Sequence, residues 1–413
     1  MMTNPALLAR LSPLLFSFLL ACGVQAGAPV ENSKYAPFTL VLYNSNSEES
    51  RKLAAYYAER RSIPLENIVA LDLPVDEVIS REDYERGVQE PLRRLFDANG
   101  WWEREENEKG VMRPVRCKMK FAAIMYGMPL KIAVTPGEPT GEVDPATGEP
   151  VLAKRDARST DAASLDSELA QVGVDLPRLA GPGSNSYFRS NDAFGSPEIL
   201  LTARVAARSF VDSKRLIDDA IATEASGLWG MALVDVAQLV QTKGEGYEIG
   251  DRWLENCASF YRAAGIPTVT DRSPAVVPSG FPLGGDVVLY FGWYTGSVAG
   301  VFADEGFRFK RGAVACHLHS LSASSMKPIR RFWTSPLLNK GACASLGNVY
   351  EPFLTMTTHF DLFNARLLGG FTFAESGWMA SPAASWMTVL VGDPLYQPFR
   401  QGQNYDMKED ADF

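Results

Sequence analysis

Between residues 37 and 398 the sequence switches repeatedly from short β-branched or aliphatic runs to longer amphipathic ones. That alternation constrains the fold more than any other feature. Strand-then-helix patterns bury themselves as a mostly parallel sheet with helices on its faces, an α/β architecture. Residues 37–43 (PFTLVLY) read as a strand. Residues 51–60 read as a helix with Leu53 and Tyr57 on one face, and Asn46 with Glu49 supplies its capping box. Ile63-Pro64 ends that helix. Residues 67–73 form a second strand, Ser80 caps a helix over 81–96, and 120–127 form a third strand.

Residues 133–194 interrupt the rhythm with Pro, Gly, Asp and Ser, apart from one short helical stretch at 161–170. A connection this long is usually functional or disordered. A strand at 198–205 and a helix from Asp212 to Ala222 resume the pattern. A second series follows: strands at 228–236, 286–292, 313–319 and 342–349, and helices at 247–264, 360–368 and 372–379. The reading is two α/β lobes, 35–225 with the insertion at 133–194 and then 226–400, followed by an acidic tail at 401–413.

Residues 1–26 read as a signal peptide. Arg10 is their only charge, an apolar stretch follows it, and Val24-Gln-Ala26 offers a cleavage site. Leu19-Leu-Ala-Cys22 also resembles a bacterial lipobox, so membrane attachment through a lipid on Cys22 is the alternative. The expectation is an exported protein, periplasmic or extracellular. Four cysteines remain after the leader: Cys117, Cys257, Cys316 and Cys343. Cys257 shares a helical face with Trp253 and Tyr261, which reads as a buried thiol. With 40 Lys+Arg against 49 Asp+Glu, the net charge of -9 excludes a general nucleic-acid binder.

Ligands of open α/β sheets sit beyond the carboxyl ends of the strands. The polar groups there are Asn44, Trp293, Tyr294, Ser320, Asn348 and Glu351, and Asp166 with Glu168 adds a carboxylate pair in the insertion. These are the binding candidates. The densest cluster is Cys316-His317-Leu318-His319-Ser320. Cys316, His317 and His319 are the catalytic candidates, as nucleophile and bases. Strand alternation points His317 and His319 together and Cys316 away from both. The histidine pair suits a metal only with a third ligand, for which His359 and Asp361 are nearest in sequence. No P-loop, G-x-G-x-x-G or G-x-S-x-G occurs, and the reading includes no cofactor and no bound metal.

Leu53-Ala-Ala-Tyr-Tyr57, Ala163-Ser-Leu-Asp-Ser-Glu-Leu169, His317-Leu-His-Ser320, Gly347-Asn-Val-Tyr-Glu-Pro352 and Gly392-Asp-Pro394 resemble an uncharacterised family of exported bacterial proteins. More distantly, the strands at 38–43, 121–127, 199–205 and 290–292, with Gly341–Gly347 and Val391-Gly-Asp-Pro394, resemble the gingipain-type cysteine peptidases. That resemblance implies a caspase-like three-layer sandwich. It places the catalytic histidine at Trp293 and the nucleophile at or next to Cys316. Tryptophan is no general base, so the resemblance implies a degenerate enzyme: a non-catalytic binding or structural protein of the envelope with a peptide, glycan or envelope partner. A cysteine hydrolase using Cys316 with His317 or His319, and a metal-assisted hydrolase using both histidines, are the alternatives.

Overall fold

The computed structural model describes residues 34–137, 139–144, 150–152, 160–176, 181–283 and 286–399. The leader at 1–26, Cys22 and the tail at 401–413 lie outside them. Ten strands carry the architecture: β1 (Thr39–Asn44), β2 (Ile68–Leu71), β3 (Phe121–Met125), β4 (Leu201–Val205), β5 (Met231–Asp235), β6 (Thr268–Asp271), β7 (Val287–Trp293), β8 (Val314–Leu318), β9 (Ser345–Asn348) and β10 (Thr388–Val391). Six of them pair in the order β9-β10-β4-β3-β1-β2 and four in the order β6-β5-β7-β8. Every pairing is parallel except β9 with β10.

The two sheets meet edge to edge. Val314 bridges Ala344 in parallel, and the Ala315 N–H donates to the Ala344 carbonyl at 3.0 Å. The expected division at residue 225 is therefore corrected. Strands β9 and β10, from the C-terminal part of the chain, complete the sheet begun by the first 205 residues.

Period-two alternation sends neighbouring residues to opposite faces. Leu40 and Leu42 pack with Leu92, Phe96, Leu165 and Leu169, while Val41 packs with Leu53 and Tyr57 of α1 (Glu48–Arg61) and Ile217 of α2 (Phe210–Ser226). In the other half, Val234 and Phe291 face α3 (Glu248–Ala263), α4 (Phe360–Leu368) and α5 (Phe373–Ala380); Leu233 and Tyr290 face Phe302, Trp333 and Leu337. Helices thus cover both faces of a mixed but mostly parallel sheet.

Ser80 caps its helix as expected, with a reciprocal Asp83 box. Helix α1 is capped by Ser47 rather than Asn46: its hydroxyl accepts from the Ser50 N–H at 3.2 Å. The helix in the insertion runs Leu165–Ala170, capped by Ser164. Ala163–Ser164 pairs with Lys131–Ile132, and Gly183–Ser184 with Ala383–Ala384, so this part of the insertion is built into the body. No helix among the described residues is long and apolar enough to cross a membrane.

Candidate functional site

Parallel register brings the carboxyl ends of four strands into line. Asp235 of β5 lies opposite Asp271 on one side and Gly292 on the other, and Gly292 lies opposite His317. His317 is buried. Its Nε2 accepts the Thr295 backbone N–H at 3.0 Å, which leaves the ring proton of the neutral imidazole on Nδ1, 2.7 Å from Tyr290 Oη. The Tyr290 hydroxyl in turn donates to Asp235 Oδ2 at 3.4 Å. Trp333 stacks on the imidazole at 3.6 Å, and its indole N–H donates to the Thr295 carbonyl at 2.5 Å. The start of the loop after β7 is therefore clamped through both polar groups of Thr295.

Burial holds His317 well below its ordinary pKa. Burial, and next the charge of Asp271, pushes Asp235 up to about 7; the Val277 backbone and Tyr290 oppose this in part. Asp235 Oδ1 has no hydrogen-bond partner. Gly292 has to be glycine here. A Cβ would stand 2.7 Å from Tyr290 Oη and 2.8 Å from Asp235 Cβ.

Cys316 lies on the opposite face of β8, as alternation requires. Its thiol is fully buried, accepts the Leu346 N–H at 3.2 Å, and is pushed up to about 12 by burial. No imidazole reaches it. His317 has both ring nitrogens engaged, so it offers no lone pair to a metal and no base to a thiol. Both catalytic expectations for Cys316 and His317 are corrected on these grounds. Among the described residues no three His, Cys, Asp or Glu side chains group as metal ligands. Cys257 is buried as expected, with Asn364 Nδ2 donating to its sulfur at 3.4 Å. Cys117, Cys257, Cys316 and Cys343 are all free thiols.

Trp293 is also corrected as a surface aromatic. It is 1% exposed, and its indole N–H donates to Asp251 Oδ1 at 2.9 Å. Its neighbour Tyr294 meets it edge-on, with centroids 6.0 Å apart, and is half-buried beside His319, with centroids 5.2 Å apart, under the Lys243 ammonium at 4.6 Å. His319 Nδ1 accepts the Leu321 N–H at 3.3 Å. Burial lowers its pKa, the nearby Glu351 carboxylate opposes this, and Lys243 adds to it. Ser320 is half-buried on the adjoining turn and Glu351 is exposed. Tyr294, His319, Ser320 and Glu351, together with Lys243, are half-buried or exposed groups at these strand ends.

The other candidates are structural or lie elsewhere. Asn44 is buried and clips loops together, its Nδ2 donating to the Pro74 and Gly127 carbonyls. Asn348 is buried against Thr357 at 2.9 Å. Asp166 is buried in an ion pair with Arg204 of β4, and its pKa is raised by burial against the pull of that arginine. Glu168 faces the other way, into a groove beside Arg81. Asp235, Tyr290 and Trp333 escaped the sequence reading as site residues. The one available signal was an aspartate closing the apolar run Met231–Asp235.

No known protein family and no curated protein matches the chain in sequence. A solved structure described as "Structure of Protease" is similar over 88% of this chain and 78% of that one, at 12% identity and a TM-score of 0.41. Residue roles do not carry across a likeness that distant.

Proposed function

We propose that this chain is an exported, non-catalytic binding or structural protein of the bacterial envelope on a degenerate caspase- or gingipain-like scaffold. The observation that carries the reading is Cys316. The only thiol that the sequence offered as a nucleophile is buried, faces Leu346 rather than an imidazole, and is held protonated up to about pH 12. A thiol is reactive as its thiolate, which needs exposure and an electropositive neighbourhood. Trp293, where the resemblance requires the histidine, is a core residue bonded to Asp251. The half-exposed Tyr294–His319–Lys243 surface suits recognition of a partner rather than bond cleavage. Export rests on residues 1–26, with cleavage after Ala26 or lipidation at Cys22.

The test is a small thiol-reactive probe applied across pH 5 to 9, with the labelled cysteines mapped by mass spectrometry. Cys316 should remain unlabelled in the native protein throughout and react only after denaturation. Selective labelling of Cys316 below pH 8, abolished by His319→Ala, would overturn the reading. The mass of the mature N-terminal peptide from a cell fractionation separates cleavage, lipidation and retention of the leader.

A further inference from the structure

The joined sheets end in two outer strands, β2 and β6. An uncovered edge is a template for another strand unless it is blunted. At β6 the Pro267 and Asp271 carbonyls are taken by β5 and its continuation, so Thr268 and Thr270 turn outward, and Arg262 donates to the Thr270 hydroxyl. That edge is polar. β2 reads Ile-Val-Ala-Leu, without a charge or a proline, and Ala70 is exposed on it. An open groove of about 450 Å³ runs beside it, with Ala70 and Asp72 on one side and Arg86, Gly87 and Pro91 on the other.

The backbone groups on this edge can be accounted for one by one. The Leu71 carbonyl accepts the Ser45 N–H at 2.9 Å. Parallel pairing with β1 therefore turns Val69 and Leu71 inward and Ile68, Ala70 and Asp72 outward. Ile68 spends its N–H on the Leu65 carbonyl. The Asp72 carbonyl lies against the neighbouring helical segment, 3.1 Å from where a Cβ on Gly87 would stand. The Ile68 carbonyl, the Ala70 N–H and carbonyl, and the Asp72 N–H remain, with no partner among the described residues.

We infer that two copies of this chain pair through β2, antiparallel, about a two-fold axis at Ala70. The remaining groups are self-complementary under that axis. Each Ala70 N–H donates to the partner's Ala70 carbonyl, and each Asp72 N–H to the partner's Ile68 carbonyl. Every free group of both edges is then used. Centring the pair on Ile68 would call on an N–H already given to Leu65, and centring it on Asp72 on a carbonyl turned toward Gly87. Leu65 and Val75, 79% and 63% exposed, each lie five residues from Ala70. The same axis brings each toward the other in the partner and gives both an apolar neighbour. A foreign strand would satisfy one edge, whereas a second copy satisfies two, as isologous contacts do. Pairing of this kind is independent of whether the chain is catalytic.

Sedimentation equilibrium of the full chain should show a monomer–dimer equilibrium, with a dissociation constant on the order of 50 µM for so small a contact. Ala70→Pro deletes the central donor of each copy without removing a bond inside the chain, and should weaken association about thirtyfold, the effect of two hydrogen bonds. Ala70→Cys sets two thiols at the axis, at the Cα separation of about 5.5 Å that a disulfide spans. Mild oxidation should trap it as a covalent dimer on a non-reducing gel, while Thr270→Cys on the opposite edge stays monomeric. A monomer at every concentration, a dimer undiminished in a folded Ala70→Pro, or a dimer that Ala70→Cys does not trap would overturn the inference. Should Ala70→Pro not fold, the exposed Val75→Asp should weaken association about fivefold, and unchanged association would overturn it. A monomer carrying a co-purified peptide in native mass spectrometry would give the edge to a foreign strand and equally end the self-pairing.

Discussion

Asp235 is the residue whose environment departs furthest from what its position in the sequence suggests. A carboxylate closing a strand is ordinarily solvated. This one is fully buried, directly opposite Asp271 in the next strand, with one oxygen unpaired. Its pKa rises from 3.8 to about 7, chiefly through burial. The folded protein therefore keeps a proton that the unfolded chain has already released between those values. Ionisation then costs stability progressively as pH rises from 3.8 to about 7, and the full cost applies above it. Three pH units bound that cost at roughly 4 kcal/mol. Asp235→Asn keeps an acceptor for Tyr290 and offers an N–H toward Asp271. It should be more stable than the native chain by about 2 kcal/mol at pH 8 and close to it at pH 4, by urea denaturation. A variant that loses stability at pH 8 would show that the ionised carboxylate is needed where it stands. His317 was legible as a residue of interest because histidines are scarce in this chain. Its partners were not, because Tyr290 and Asp235 reach it only through the register of three parallel strands.

At the scale of elements, Gly250 shows why the loop after β7 is half core and half surface. It lies in the first turn of α3, where an added Cβ would meet the Trp293 ring at 2.0, 2.2 and 2.6 Å. The indole cannot swing aside without leaving Asp251. Gly250→Ala should cost about 2 kcal/mol by overpacking. Gly246→Ala, which meets nothing within 4 Å, should stay within about 0.5 kcal/mol of the native chain. Equal melting of the two variants would remove Trp293 from the core. Period and burial explain what was legible around this helix. Trp253, Cys257 and Tyr261 recur every four residues and are all buried. Trp293 and Tyr294 looked alike in the sequence, and their rings touch edge-on, but only Trp293 is fully buried. The strand Thr268–Asp271 was missed because this half-buried edge strand carries a single aliphatic residue, Val269, and Thr388–Val391 was missed as well. The cap of α1 was misplaced by one residue for a tertiary reason: Asn46 is drawn off to Asp72 at 2.7 Å and the Leu73 carbonyl, leaving Ser47 to cap.

Across the whole molecule, one buried network ties the start of the fold to its end. Arg61 at the last turn of α1 donates to Glu224 of α2 at 2.7 and 3.0 Å and to Asp393, just beyond β10, at 2.7 Å. Tyr57 donates to Asp393 at 2.7 Å, and the backbone N–H groups of Leu395 and Gln397 donate to Asp393 and Glu224. Removing the charge of one member of such a network leaves its partners uncompensated, whereas replacing the whole set is often tolerated. Arg61→Met therefore strands two buried carboxylates and should cost about 4 kcal/mol at pH 8 in urea denaturation. The loss should shrink at pH 5, because carboxylates deprived of their cation take up protons in the fold more readily than in the unfolded chain. Adding Glu224→Gln and Asp393→Asn to Arg61→Met removes the stranded charges and should restore part of the stability at pH 8. If the triple variant is instead no better than the single one, the arginine's packing and hydrogen bonds, rather than its charge, join the two ends of the chain.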